Sequence, residues 1–141
     1  MIPTKVTDEM NQRLISTFTR DRVEAALKQM HPTKAPGPDS MSAIFFQKYW
    51  DMLGNYIMRL VLNVLNSNMS IVDINRTNFT LIPKINSTSK MSDFRPISVS
   101  NVVYKLASKV IANRLKNILP QIISENQSGF FFRRGSLPTM F

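Results

Sequence analysis

At 141 residues and 43% hydrophobic, the chain suits one globular domain and argues against both two ordinary domains and wholesale disorder. The 18 Lys and Arg against 9 Asp and Glu give a formal charge of +9, which favours a polyanionic partner such as nucleic acid or an anionic membrane surface. No Cys and a single His, His31, exclude disulfides, thiolate zinc sites, a Cys nucleophile and paired-His metal sites, and make a Ser–His triad a poor prospect.

The opening MIPTKVTDEMNQ lacks the apolar core of a signal peptide. Residues 1–18 show no clear period, and a poorly ordered N-terminus is expected there. From Thr19 the pattern turns helical, with Val23, Leu27 and Met30 at i, i+4 and i+7 and Ala26 beside them. Thr19 or Asp21 can cap its start. His31-Pro32 ends it, because a residue before proline disfavours the α region. The segment Pro32-Thr33-Lys34-Ala35-Pro36-Gly37-Pro38-Asp39-Ser40 then predicts a stiff, extended loop.

A helix is predicted over 43–50, with Ser40 or Ser42 as cap, and Gly54 breaks or bends the pattern. A second helical stretch carries Ile57, Leu60, Val61, Val64 and Leu65 as its buried stripe. This is the most apolar part of the chain, but Arg59 and Asn63 interrupt it. It falls far short of the roughly 20 residues needed to span a bilayer, so an intracellular chain is expected.

Ile71, Ile74 and Phe79-Thr80-Leu81-Ile82 are β-prone, and Pro83 stops the run. Residues 94–99 read as a second strand beyond the polar loop at 86–90, so an antiparallel hairpin is the simplest pairing. On it Lys84 and Arg95 are expected to face each other near the loop, where both reach one polyanion. Ser100-Asn101 predicts the cap of a long amphipathic helix over 102–119, closed or followed by a new turn at Pro120. Its apolar stripe is Val103, Leu106, Val110, Leu115 and Ile118. Lys105, Lys109, Asn113 and Lys116 make one polar basic stripe.

The charge is uneven along the chain. Residues 1–73 hold 8 basic and 7 acidic side chains, whereas residues 74–141 hold 10 basic and 2 acidic. The basic residues of the second half are spaced among apolar ones, the pattern of a folded segment with a basic face rather than of a disordered tail. A plain solvated surface gives the same spacing, and so does a helix lying on an anionic membrane or binding calmodulin.

Seven blocks then make the sequence recognisable. They are His31-Pro32-Thr33-Lys34-Ala35-Pro36-Gly37-Pro38-Asp39, Phe45-Phe46-Gln47-Lys48-Tyr49-Trp50, Leu81-Ile82-Pro83-Lys84, Phe94-Arg95-Pro96-Ile97-Ser98, Asn101-Val102-Val103-Tyr104-Lys105, Lys109-Val110-Ile111-Ala112-Asn113-Arg114-Leu115-Lys116 and Ser124-Glu125-Asn126-Gln127-Ser128-Gly129-Phe130. In this order, over 23–130, they resemble the reverse transcriptase, an RNA-directed DNA polymerase, of plant LINE-type non-LTR retrotransposons. Each block alone is weak; the ordered set is specific.

The resemblance implies an α+β piece of a right-hand polymerase: an amino-terminal extension, the fingers and the entrance to the palm, with the palm itself missing. Residues 19–130 would be this partial domain and 131–141 a divergent tail. In such enzymes the fingers hairpin closes over the incoming nucleotide, and Lys84 and Arg95 would contact its triphosphate. A point-charge Lys and a forked Arg suit that task. The Pro/Gly loop and the basic helix would lie along the template or template–primer, with Lys34, Lys105, Lys109, Arg114 and Lys116 as candidate phosphate contacts. The implied partners are an RNA template, a DNA primer and a deoxynucleoside triphosphate, with no membrane.

Polymerisation in this family needs palm aspartates that hold two Mg²⁺ ions. After Phe130 only Arg134 still fits the pattern, Arg133 stands where the family has Gly, and residues 135–141 do not continue it. No Asp-Asp pair occurs in the sequence, and Asp39 and Asp93 sit in turn or cap contexts. No catalytic residue and no metal ligand is therefore assigned. The expectation is a truncated copy, inactive as a polymerase, with Mg²⁺ belonging only to the complete enzyme. The alternatives are a non-catalytic nucleic-acid-binding module using the basic second half, and a small helical adaptor or membrane-surface protein.

Overall fold

Thr7 starts the first helix. Its backbone is extended and its hydroxyl accepts the Met10 N–H at 3.2 Å, satisfying one of the donors a helix start leaves open. Asp8 and Glu9 complement the positive end of the dipole, and Arg13 pairs with Glu9 one turn on. This is α1, Asp8–Ile15, and it buries no residue. It falls within residues 1–18, where the sequence shows no clear period. Capping and charge mark its start, and its apolar stripe is only Met10 and Leu14, too short a period to read.

The computed structural model describes residues 5–67, 69–72 and 74–123. Two compact units divide the chain. One is formed by residues 17–111, the other, among the described residues, by 5–16 and 112–123. The block at 124–130 and the tail at 131–141 lie outside the described residues.

In the larger unit the helical periods become a core. Helix α2 spans Arg20–Lys28, α3 Ala43–Lys48 and α4 Trp50–Asn66. Val23, Ala26 and Leu27 of α2 pack with Ala43 and Phe46 of α3 and with Ile57, Met58 and Val61 of α4. Val102, Val103, Leu106, Ala107 and Val110, from helix α5 (Val102–Lys116), complete the cluster. Thr19 holds the cap position of α2 but makes no side-chain cap bond.

Two polar side chains tie these helices together. Gln47 Nε2 donates to the carbonyls of Leu27 and Met30, both at 3.0 Å, and so ties the end of α2 to α3. Asn66 grips the backbone of Phe18 twice, accepting its N–H at 2.9 Å and donating to its carbonyl at 3.0 Å.

The interruption expected at Gly54 falls instead at Tyr49, between α3 and α4. Gly54 is buried within continuous α4, where its missing side chain leaves room for the Trp50 indole one turn earlier. The β-prone Ile71 and Ile74 form no strand. Ile74 and Asn75 close a turn by donating their N–H groups to the Ile71 carbonyl, and Ile74 packs against the core.

Strands β1, Thr77–Pro83, and β2, Phe94–Ser100, pair antiparallel as the expected hairpin. The fold class is α+β, helices plus one small antiparallel sheet. Leu81 lies opposite Pro96 and Pro83 opposite Phe94. The Lys84 N–H donates to the Asp93 carbonyl at 2.7 Å, which fixes the alternation of the ladder. Both prolines then fall at positions whose ring nitrogen points away from the partner strand, where a missing donor breaks no ladder bond.

Helix α5 ends at Lys116, short of the expected 119, through tight bonds from Asn117 to the Arg114 carbonyl and from Ile118 to the Leu115 carbonyl. Pro120 lies in the first turn of α6, Leu119–Ile122, where a missing N–H is tolerated.

Candidate nucleic-acid interface

The hairpin register sets the first part of the site. Arg95 pairs with Ile82, and Lys84 lies opposite Asp93. Lys84 and Arg95 therefore do not face each other directly, as the sequence suggested. They are diagonal neighbours on one face of the hairpin, a spacing long side chains bridge. Both are exposed. Lys84 Nζ donates to the Ser92 carbonyl at 2.7 Å, which draws the ammonium toward the hairpin tip. Among the described residues Arg95 has no hydrogen-bond or ion-pair partner, and its guanidinium is available.

Asp93 shapes that tip. One of its carboxylate oxygens accepts the N–H groups of Ser89 and Lys90, each at 3.0 Å. The Ser89 bond first, and the Lys90 bond next, hold its pKa below the ordinary aspartate value. The turn-and-cap context read from sequence is what the geometry shows.

The second part is the Pro/Gly loop. Its backbone is closed by bonds from Lys34 N–H to the His31 carbonyl and from Ser40 N–H to the Gly37 carbonyl. Asp39 accepts the Met41 N–H at 3.0 Å, an Asx turn, and Ser40 takes a left-handed φ of 58°. Gly37 is buried against the backbone of Ser100 and Asn101, too close for any Cβ. The Asn101 side-chain oxygen accepts the Asp39 N–H at 3.3 Å. Lys105 Nζ donates to the Ala35 carbonyl at 2.8 Å across 70 residues of sequence. Burial lowers the Lys105 pKa and neighbouring Lys34 lowers it further, while Asp39 works the other way.

The basic residues thus divide. Lys34 is exposed on the loop. Lys105 lies on the stripe read from sequence, but its ammonium is spent on the loop. Lys109, one turn on, is half-buried. In the smaller unit Arg114 is 6% exposed, and its Nη1 donates to the Leu14 carbonyl at 2.7 Å. Arg114, read from sequence as a candidate phosphate contact, thus has its guanidinium packed inside its own unit. Lys116 is exposed.

Sequence reasoning missed Asn101 as a loop anchor, taking it for a helix cap. The signal available was its place in the motif directly after the second strand. It also treated Phe79 as an ordinary strand residue. Phe79 is 80% exposed and shares the hairpin face with Leu81, opposite to that of Lys84 and Arg95.

The chemistry of the acidic groups does not fit a two-metal site. The carboxylates of Asp39 and Asp93 are engaged with backbone N–H groups, and among the described residues no three His, Asp or Glu are grouped to hold a metal ion. No step through Mg²⁺ is derived for these residues. Among the described residues no helix is long and apolar enough to cross a membrane.

No protein-family model matches the sequence. Against known proteins, 123 residues are 31% identical to a Xenopus laevis protein named "Transposon TX1 uncharacterized 149 kDa protein". The match takes in 87% of this chain but spans 9% of that relative's length. The sequence is therefore related to a segment of a transposon-encoded protein.

Proposed function

We propose that this chain is a portion of the reverse transcriptase of a plant LINE-type non-LTR retrotransposon, comprising the amino-terminal extension and fingers. The observation that carries the proposal is the ordered set of seven sequence blocks. The relationship to a transposon protein over most of the chain supports it. In this reading exposed Lys84 and Arg95, side by side on one hairpin face, take the triphosphate of an incoming nucleotide. Lys34, Lys109 and Lys116 contribute charge toward template and primer phosphates.

In this reading the 141 residues do not polymerise by themselves, because among the described residues no carboxylates are grouped to hold two metal ions. Primer extension on an RNA template with Mg²⁺ and deoxynucleotides is expected to yield no product, and template-dependent incorporation by the purified chain would refute this. Binding is tested separately. Affinity for an RNA–DNA template–primer should fall steeply with salt, as counterion release requires. The double variant K84M/R95M should lose triphosphate binding while keeping most template–primer affinity. Salt-independent binding, or triphosphate binding unaffected by the double variant, contradicts the assignment.

A further inference from the structure

Lys105 carries an inference that runs against its place on the basic stripe. We propose that Lys105 is a positioning residue: its ammonium latches the Pro/Gly loop onto the start of α5, so that the loop presents Lys34 from a fixed place.

Three features converge on this latch. Lys105 Nζ holds the Ala35 carbonyl at 2.8 Å. Asn101, one turn earlier on the same helix face, accepts the Asp39 N–H. Between these two points Gly37 lies flat against Ser100 and Asn101, with no space for a side chain. The loop is therefore fastened at both ends and pressed down in its middle. The anchoring residues belong to the junction where β2 ends and α5 begins.

The chemistry explains why lysine suits the position. Three prolines fix φ and remove donors from the loop, so carbonyls such as that of Ala35 must find donors elsewhere. The long, half-buried lysine stem delivers a charged donor to one of them. A hydrogen bond from a charged donor is stronger than a neutral one. An ammonium used in this way adds little to phosphate binding directly. Its effect on polyanion binding is transmitted through the loop.

The contribution of the loop to polyanion binding rests on the function proposed above; the latch itself does not. The experiment separates the two. Amide hydrogen exchange is measured on the whole chain for wild type, K105M and K105R. K105M keeps the stem and removes the donor; K105R restores a cationic donor. In K105M the Asp39 and Ser40 amides should exchange about tenfold faster, the scale of one charge-assisted hydrogen bond, while core amides of α2 and α4 stay protected. K105R should recover most of the protection. Unchanged exchange at Asp39 and Ser40 in K105M overturns the latch, whether or not the protein binds nucleic acid.

Salt titrations with an RNA–DNA template–primer test the second half. K34M should flatten the log–log slope by about one, as the loss of one phosphate contact does. K105M should weaken binding with the slope unchanged. A slope reduced in K105M by as much as in K34M would make Lys105 a direct phosphate contact and overturn its assignment. Failure of the wild type to bind would count against the proposed function, and the exchange comparison would still decide the latch.

Discussion

The indole of Trp50 lies across the backbone of Gly54, one helical turn away, where a Cβ would come within 2.9 Å of the ring. The two residues act as one unit: the glycine is the space the tryptophan fills. Trp50 also packs against the core shared by α2, α3 and α4.

Substitution of Gly54 by Ala sets two effects against each other. Helix propensity favours Ala by about 1 kcal/mol. Overpacking against a wide, rigid ring costs about 1–3 kcal/mol. The clash wins, because the indole cannot move aside as the tip of a flexible chain would. G54A is expected to lower stability by about 1 kcal/mol, read as a lower denaturant midpoint. A raised midpoint would show that the ring gives way.

Leu106 is the central side chain that α5 contributes to the core and is almost wholly buried. Leu106→Ala should cost about 2–5 kcal/mol through lost transfer energy and the cavity left behind. Leu115 was expected on the same stripe but is exposed. L115A should change stability by less than about 0.5 kcal/mol. Chemical denaturation of the two variants makes the comparison, and equal losses would contradict the packing described.

The hairpin tip should weaken in acid. The Asp93 carboxyl has a lowered pKa, owing first to the Ser89 N–H. Below the ordinary aspartate value the unfolded chain takes up a proton before the folded one does. The stabilisation is therefore complete above the unfolded pKa and is lost as pH falls through the folded one. Asp93→Asn should remove this part of the acid dependence and loosen residues 89–93. NMR titration of the Ser89 and Lys90 amides follows it directly. Amides that do not respond as Asp93 protonates would refute the capping role.

Arg114 and Lys116 lie two residues apart but should behave oppositely. R114M removes a buried, charge-assisted bond to the Leu14 carbonyl and should destabilise by about 1.5–3 kcal/mol. It should leave the salt slope of nucleic-acid binding intact. K116M touches an exposed cation, so stability should hold while the slope flattens slightly. Thermal melts paired with salt titrations distinguish them, and a stable R114M with a flattened slope would return Arg114 to the interface.

Much of this fold is written locally. The helical period at Val23, Leu27 and Met30, the proline after His31 and the paired β-prone runs each name their element. What stayed hidden depends on contacts distant in sequence. Gly54 reads as a breaker until Trp50 is seen to need its space. Helix α1 has only a short apolar stripe, Met10 and Leu14, too little for periodicity to single out, while its cap is explicit.

The candidate site divides in the same way. Residue type marks Lys34, Lys84, Arg95, Lys105 and Arg114 equally as cations. Only packing shows that Arg114 is enclosed and that the Lys105 ammonium is occupied by the Ala35 carbonyl. Asn101 sits at a helix start, so local rules assign it a cap, whereas its side chain serves a loop 62 residues earlier in the sequence.

The prolines of the hairpin also give its sheet a direction of growth. With the ladder alternating as it does, the outward positions of β2 include Pro96, which offers no donor. The outward positions of β1 are Thr77, Phe79, Leu81 and Pro83, so on that edge the missing donor falls only at the end beside the tip. A third strand, from whatever chain, finds its longest row of donors and acceptors from Thr77 to Leu81 of β1, beside the bare ring of Phe79. Proline thus interrupts the edge of β2 in its middle and closes that of β1 at its end, an unequal defence of the two edges against edge-to-edge aggregation.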